Sequence, residues 1–127
     1  MELMNLDERP LSEEQDQQLQ VFADHWQQLL RKATPVEFKD GQVVFYKDHM
    51  PYGVYVLVQG EVCLAKEESA KNHKGMIVPN VPVGIDLLLK NMSYPYTAVA
   101  KSDCKGFFIP KKDILGLFRE NQSQSFH

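Results

Sequence analysis

Residues 55–65 read YVLVQGEVCLA, and this stretch decides the fold class. Two runs of valine, leucine and aromatic residues stand on either side of Gln59-Gly60, which is typical of two β-strands joined by a glycine turn. A second glycine turn lies at Asp40-Gly41. Further short runs of strand composition lie at 36–38, 43–46, 75–78, 81–83, 97–100 and 106–109. Several short strands separated by turn residues predict a mainly β fold, an antiparallel β-roll of the jelly-roll type, over about residues 34–109.

Helical segments are predicted at both ends of the roll and once within it. Ser12 and Gln15 form a capping-box pattern, after which apolar residues recur at spacings of three and four. The members of this apolar stripe are Leu19, Phe22, Trp26, Leu29 and Leu30. We expect an N-terminal helix over about residues 12–32, a short helix within residues 86–90 and a closing helix over about residues 110–120. Residues 1–10 are expected to form a flexible arm, and residues 11–127 a single domain.

The composition limits the classes of partner. The chain carries a formal net charge of -3, and its only arginines are Arg9, Arg31 and Arg119, so no basic face for nucleic acid is visible. No apolar run could span a bilayer, and the first residues lack the order of a signal peptide. Cys63 and Cys104 have the spacing of neither a disulfide framework nor a metal site. We expect a cytoplasmic protein that binds neither nucleic acid directly nor membranes.

The order of these elements resembles the cyclic-nucleotide-binding domains of the catabolite-activator (Crp/Fnr) superfamily. Residues 38–45, FKDGQVVF, are similar to the opening segment of that family, and residues 55–62, YVLVQGEV, to its most recognisable strand–glycine–strand signature. Residues 100–104, AKSDC, and 107–110, FFIP, match its last strands and the start of its closing helix. The resemblance covers about residues 15–120, and it implies a regulatory domain rather than an enzyme.

A cupin enzyme is the alternative β-roll. Cupins hold a metal ion with clustered histidines and a carboxylate. The four histidines of this chain are spread over the predicted helix, two loops and the tail, at His25, His49, His73 and His127. We therefore expect no metal site and no catalytic residues.

The phosphate-binding segment departs from the family pattern. Ligand-binding members carry a Gly-Glu-Leu turn, a short helix and then an arginine that contacts the cyclic phosphate. Residues 83–100, VGIDLLLKNMSYPYTAVA, keep the glycine as Gly84, but Ile85 stands at the glutamate position. The arginine position falls on Tyr94 or Pro95. The positions expected to line the former pocket are Gly84, Ile85, Asp86, Lys90, Tyr94, Tyr96 and Thr97.

Two interpretations of this segment stay open. Tyr94, Tyr96 and Thr97 either line a pocket for a less anionic ligand or pack the roll, while Lys90 could act as a point charge without the planar fork of arginine. We expect a non-catalytic regulatory domain that acts through protein–protein contacts, with weak or no cyclic nucleotide binding. The alternative is a genuine sensor that binds a cyclic nucleotide or another small molecule in the roll.

The partner of such a domain is expected to be a protein, and a homodimer is one possibility. The contact surface could be residues 50–52 or the helix around Trp26, although residues 50–52 could equally be a simple turn. No cofactor is expected, with a cyclic nucleotide as the one candidate. The residues after Phe118 are too few for a helix-turn-helix, so we expect the sequence as it stands to lack a DNA-binding domain.

Overall fold

The computed structural model describes residues 13–65, 75–77 and 82–125. Within them, eight strands form two four-stranded sheets, and four helices accompany the sheets. The helices are α1 (Glu13–Asp24), α2 (Trp26–Leu30), α3 (Ile85–Leu89) and α4 (Lys111–Ser125). The strands are β1 (Thr34–Phe38), β2 (Val43–Phe45), β3 (Gly53–Gln59), β4 (Val62–Ala65), β5 (Gly75–Met76), β6 (Pro82–Val83), β7 (Thr97–Ala100) and β8 (Cys104–Pro110). The antiparallel β-roll predicted from the sequence is confirmed.

The two sheets have the orders β1-β8-β3-β6 and β2-β7-β4-β5. All pairings are antiparallel; β3 and β8 pair from Gly53↔Pro110 to Gln59↔Lys105, and β4 and β7 pair from Val62↔Ala100 to Ala65↔Thr97. Strands that follow each other around a glycine turn therefore do not pair with each other. β1 and β2 lie in different sheets, and so do β3 and β4.

The glycine turns carry the chain from one sheet to the other. Gly60 has φ +102, and a Cβ there would lie 2.6 Å from Cys104 Sγ and 2.7 Å from the Asp103 carbonyl oxygen. The Gly41 amide donates to the Ala100 carbonyl at 2.8 Å, and the Lys101 amide donates to the Glu61 carbonyl at 2.8 Å. The turns at Gly41, at Gly60 and between β7 and β8 thus meet at one end of the roll. Only glycine fits at position 60, because a side chain there would collide with its neighbours.

The apolar residues form two cores because the first sheet is covered on both faces. Within β3, Val54 and Val56 pack on the helices, whereas Leu57 faces the space between the sheets. The core between the sheets contains Phe45, Leu57, Val62, Leu64, Ile77, Val83, Tyr94, Tyr96, Ala98, Ala100 and Cys104. The core beneath the helices contains Phe22, Leu29, Val54, Val56, Ile85, Leu88, Ile109, Ile114, Leu117 and Phe118.

The single N-terminal helix predicted over residues 12–32 is interrupted at His25. The His25 backbone amide bonds to the Phe22 carbonyl at 3.2 Å, and the ring Nδ1 lies 2.8 Å from the Val21 carbonyl, a contact that places the proton on Nδ1. The side chain thereby takes the acceptor that the backbone amide would use in a continuous helix. The α-helical pattern resumes with the Leu29 amide on the His25 carbonyl at 3.0 Å.

The closing helix is longer than the predicted residues 110–120, since α4 continues to Ser125. No proline or glycine follows Gly116 within α4, so backbone hydrogen bonding can continue through polar residues. The expected arm at residues 1–10 and the expected loop at 66–74 lie outside the described residues. None of the helices within the described ranges has the length and apolar character needed to cross a membrane.

Candidate functional site

The segment that would hold a cyclic phosphate runs from β6 through α3 to β7. It begins at Gly84, which has φ +90 and is the N-cap of α3. A Cβ at this position would lie 3.5 Å from the nearest atom of the Tyr94 ring, an ordinary contact, so the glycine is required by its left-handed backbone. α3 is only five residues long. The segment therefore turns at a left-handed glycine and continues as a single short helix.

Tyr94 fills the interior of the roll beneath this turn. Its ring lies 3.8 Å from the Phe45 ring, centroid to centroid, with an interplanar angle of 12°, and the residue is 3% exposed. The Tyr94 amide donates to the His49 carbonyl at 3.0 Å, and the Asp48 amide donates to the Tyr94 carbonyl at 2.8 Å. Burial, with a smaller contribution from Tyr55, raises the pKa of the Tyr94 phenol. Tyr94, one of the two candidate arginine positions, therefore presents a buried and uncharged ring.

Asp86 and Lys90 are turned toward α1 rather than into the roll. Asp86 Oδ1 accepts a hydrogen bond from Gln18 Nε2 at 3.2 Å and lies 3.3 Å from Lys90 Nζ. Lys90 Nζ also lies 3.7 Å from Glu14 Oε2. The hydrogen bond to Asp86, followed by the charges of Asp86 and Glu14, raises the pKa of Lys90. Lys90, the cation expected near the pocket, is thus paired with the carboxylates of Asp86 and Glu14 on the outer surface.

The other expected pocket residues are distributed between the two cores. Ile85 packs beneath the helices, and Tyr96 packs between the sheets. Thr97 is buried, and its Oγ1 accepts a hydrogen bond from the Lys47 amide at 3.0 Å. The structure therefore brings Tyr94 and Tyr96 together in the roll interior, while it places Ile85 with the helices and Asp86 and Lys90 against α1.

A small cavity lies beside the core between the sheets. Its volume is about 10 Å³, which is close to the room needed for one water molecule. It is lined by Val36, Phe38, Val44, Tyr55, Val56, Leu57, Val62, Ile77, Val83, Gly106 and Phe107. Tyr55 is the polar side chain among them, and burial raises the pKa of its phenol.

Three residues that shape this site were not identified from the sequence. Phe45 provides the ring on which Tyr94 stacks, and Glu14 and Gln18 hold the charged pair of α3. No local sequence pattern identifies these contacts. Gln18 and Asp86, for example, are 68 residues apart in sequence and meet only because α1 packs on α3. Among the described residues, no group of three or more His, Cys, Asp or Glu side chains could hold a metal ion.

A comparison with known protein families identifies the family of this chain. The cyclic nucleotide-binding domain family matches residues 35–121, which is more than half of the chain, so the chain belongs to this family of regulatory domains. Among curated proteins, it is 30% identical over 106 residues to the inhibitor of hydrogen peroxide resistance of Escherichia coli, in strains K12 and O157:H7. That match covers 82% of this chain and 50% of the relative, so the chain spans about half the length of the curated relatives it matches.

Solved structures show the same fold at lower sequence identity. The sensor domain of the transcriptional regulator DNR from Pseudomonas aeruginosa is 20% identical, with a TM-score of 0.67 over 87% of this chain and 81% of that one. The catabolite activator protein of Thermus thermophilus is 18% identical, with a TM-score of 0.65 over 80% of this chain and 51% of that one. Both likenesses support the β-roll fold.

Proposed function

We propose that this chain is a non-catalytic regulatory domain that acts through protein contacts and binds cyclic nucleotides weakly or not at all. One observation carries the proposal: Tyr94, which with Pro95 is one of the two positions on which the phosphate-binding arginine of the family falls, is buried and stacked on Phe45. The ring occupies space that a ligand would need, and it supplies no positive charge.

The charges around the segment also oppose an anionic ligand. A hydrogen bond to a charged group contributes about 1.5–3 kcal/mol, and each 1.4 kcal/mol is about a tenfold change in affinity. The sequence has no arginine between Arg31 and Arg119, and Lys90 is paired with Asp86 and Glu14. Loss of the arginine alone would therefore weaken cyclic phosphate binding by about tenfold to a hundredfold.

The packing of the interior supports the same conclusion. A cyclic nucleotide that used the space around Tyr94 would have to displace the stacked pair of Tyr94 and Phe45, because both rings are buried in the core between the sheets. Displacing a buried aromatic ring of this size costs about 3–5 kcal/mol in the protein, which any ligand would have to offset.

A regulatory role through protein contact fits the known relatives. The curated relatives are named for inhibiting hydrogen peroxide resistance, a regulatory description. We propose that the domain works in the cytoplasm and communicates with a protein partner through its outer surface. A filled roll interior is compatible with this role, because a partner protein can dock on the outer surface without any ligand in the interior.

Calorimetric titration of the purified chain with cyclic AMP, cyclic GMP and cyclic di-GMP tests this proposal. We expect no saturable heat and no thermal stabilisation at millimolar ligand. A ligand present at 100 times its dissociation constant would stabilise the fold by about 2.7 kcal/mol, which a melting curve detects readily. The matched control is the variant Val58→Ser, which changes an exposed residue of β3 and should behave as the wild type.

Saturable binding at micromolar concentrations would overturn the proposal and make the domain a small-molecule sensor. In that case Tyr94→Phe should alter the affinity, because the phenol would then contact the ligand. Binding of adenosine and cyclic AMP with equal affinity would locate the contact at the base rather than at the phosphate.

A further inference from the structure

Exposed apolar side chains are concentrated in two loops that are bonded to each other. Among the described residues, five large hydrophobic residues are exposed, and four of them are Tyr46, Met50, Tyr52 and Met92, here called the paired-loop surface. The fifth is Val58, which lies in β3 outside both loops.

The two loops adjoin because their backbones are joined. Residues 46–52 connect β2 to β3, and residues 90–96 connect α3 to β7. The hydrogen bonds of Asp48 and His49 with Tyr94 join them. The ring of His49 packs on that of Tyr46 at 5.4 Å, centroid to centroid.

The outward direction of these side chains follows from the local backbone. Met50 and Tyr52 alternate with buried Pro51 and buried Gly53, so both project to the outside of the roll. Tyr52 is 81% exposed, the largest exposure among the large hydrophobic residues that the structure describes. Four such side chains in adjoining loops are more than the scattered single apolar residues of an ordinary surface, and such a cluster marks an interaction site.

The charges at its edge are mainly positive. The Tyr52 carbonyl accepts a hydrogen bond from the Lys111 amide at 2.9 Å, which brings the start of α4 beside the first loop. Lys47, Lys111 and Lys112 form no ion pair within the part of the chain that the structure describes. They outnumber the two carboxylates of the same segments, Asp48 and Asp113, in a chain whose formal net charge is -3.

We infer that the paired-loop surface docks an acidic segment of a partner protein that carries aromatic or aliphatic side chains. This inference rests on the proposed function, because it names the partner of a domain that works through protein contact. Tyrosine and methionine are enriched in protein interfaces, and lysines at the rim speed association with an acidic partner. A second copy of this chain fits less well, since symmetric pairing would bring the same lysines face to face.

Selection of binding peptides tests the chemistry of the partner without knowledge of its identity. Random twelve-residue peptides displayed on phage are selected on the immobilised chain, and enriched peptides are synthesised for fluorescence anisotropy. We expect the enriched sequences to have negative net charge and at least two aromatic or aliphatic residues. Their affinity should fall as salt is added, because exposed charges are screened.

Two surface variants and one matched control locate the binding site. Tyr52→Ser combined with Met92→Ser should weaken the selected peptides by about tenfold or more, as expected for loss of anchoring side chains. Lys111→Glu combined with Lys112→Glu should weaken them by a similar factor at low salt. Val58→Ser removes an exposed apolar side chain outside both loops and should leave the affinity unchanged.

Several results would overturn the inference. Enrichment of neutral or basic peptides, or failure to enrich any peptide, would contradict the stated partner chemistry. Concentration-dependent dimerisation in sedimentation, lost in Tyr52→Ser with Met92→Ser, would assign the surface to a second copy. Binding to vesicles of anionic phospholipid, lost in the same variant, would assign it to a lipid surface.

The inference and the proposed function can fail separately. If acidic peptides bind but the paired-loop variants bind them as tightly as the wild type, this surface is wrong while action through protein contact stands. If cyclic AMP binds with micromolar affinity in the calorimetric titration, the proposed function fails.

Discussion

Replacing Tyr94 with alanine removes the ring that occupies the roll interior beneath α3. The ring is 3% exposed and stacks on Phe45 at 3.8 Å, so its removal leaves a cavity next to an aromatic face. Tyr94→Phe is the matched variant, because it keeps the ring and removes the hydroxyl. No group in the described part of the chain makes a hydrogen bond with that hydroxyl.

The two substitutions should differ greatly in their effect on the free energy of unfolding. Truncating a buried aromatic side chain to alanine costs about 3–5 kcal/mol, and loss of the stacked pair places Tyr94→Ala toward the upper end. Tyr94→Phe should change the free energy by less than about 1 kcal/mol, since no hydrogen bond is lost. A small domain has about 5–15 kcal/mol in total, so the alanine variant should be strongly destabilised.

Urea unfolding, followed by the fluorescence of Trp26, measures both effects. Trp26 is the single tryptophan and packs on Phe22 and Phe107, so its emission reports the folded helix–sheet contact. With a slope of about 1–3 kcal/mol per molar urea, a loss of 3 kcal/mol lowers the midpoint by at least about 1 M. If Tyr94→Ala and Tyr94→Phe were equally destabilised, the phenol rather than the ring would be the important group, and the argument for a packed interior would be refuted.

Three further predictions concern pH, the inter-sheet turn and the contact with α1. Burial raises the pKa of Tyr94 above its ordinary value of 10, so its contribution to the free energy of unfolding should be constant below pH 10 and fall above it by about 1.4 kcal/mol per pH unit. Alkaline unfolding should therefore be less steep in Tyr94→Phe. Gly60→Ala should destabilise by about 2 kcal/mol more than Gly41→Ala in urea unfolding, because both have positive φ but only position 60 lacks space; equal losses would contradict the steric argument. Asp86→Ala should cost about 1–3 kcal/mol by leaving the buried Gln18 amide without its acceptor, whereas Asp86→Asn keeps an acceptor and should cost less than about 1 kcal/mol; thermal melts compare the two, and similar losses would point to charge instead.

The positions of the elements could be predicted from the sequence, because each depends on neighbours within a few residues. The valine-rich runs around Gly60, the apolar stripe of α1 and the proline that precedes α4 all act locally. The limits of the helices were less well predicted, since the interruption at His25 depends on a ring–carbonyl contact that has no periodic pattern. The absence of an arginine from residues 32–118 was also visible, and with it the loss of the usual phosphate contact.

Only the tertiary structure decided which strands pair and where the pocket side chains point. A glycine between two strands looks the same whether the strands pair or enter different sheets, and the crowding of Gly60 by Cys104, far away in sequence, is visible only in the folded chain. The buried position of Tyr94, in the loop before β7, depends on its stacking against Phe45 of β2, which is distant in sequence. Asp86 is drawn to α1 by Gln18 in the same way. Local propensity sets the secondary structure, whereas the direction of each side chain is settled by partners that only folding brings within reach.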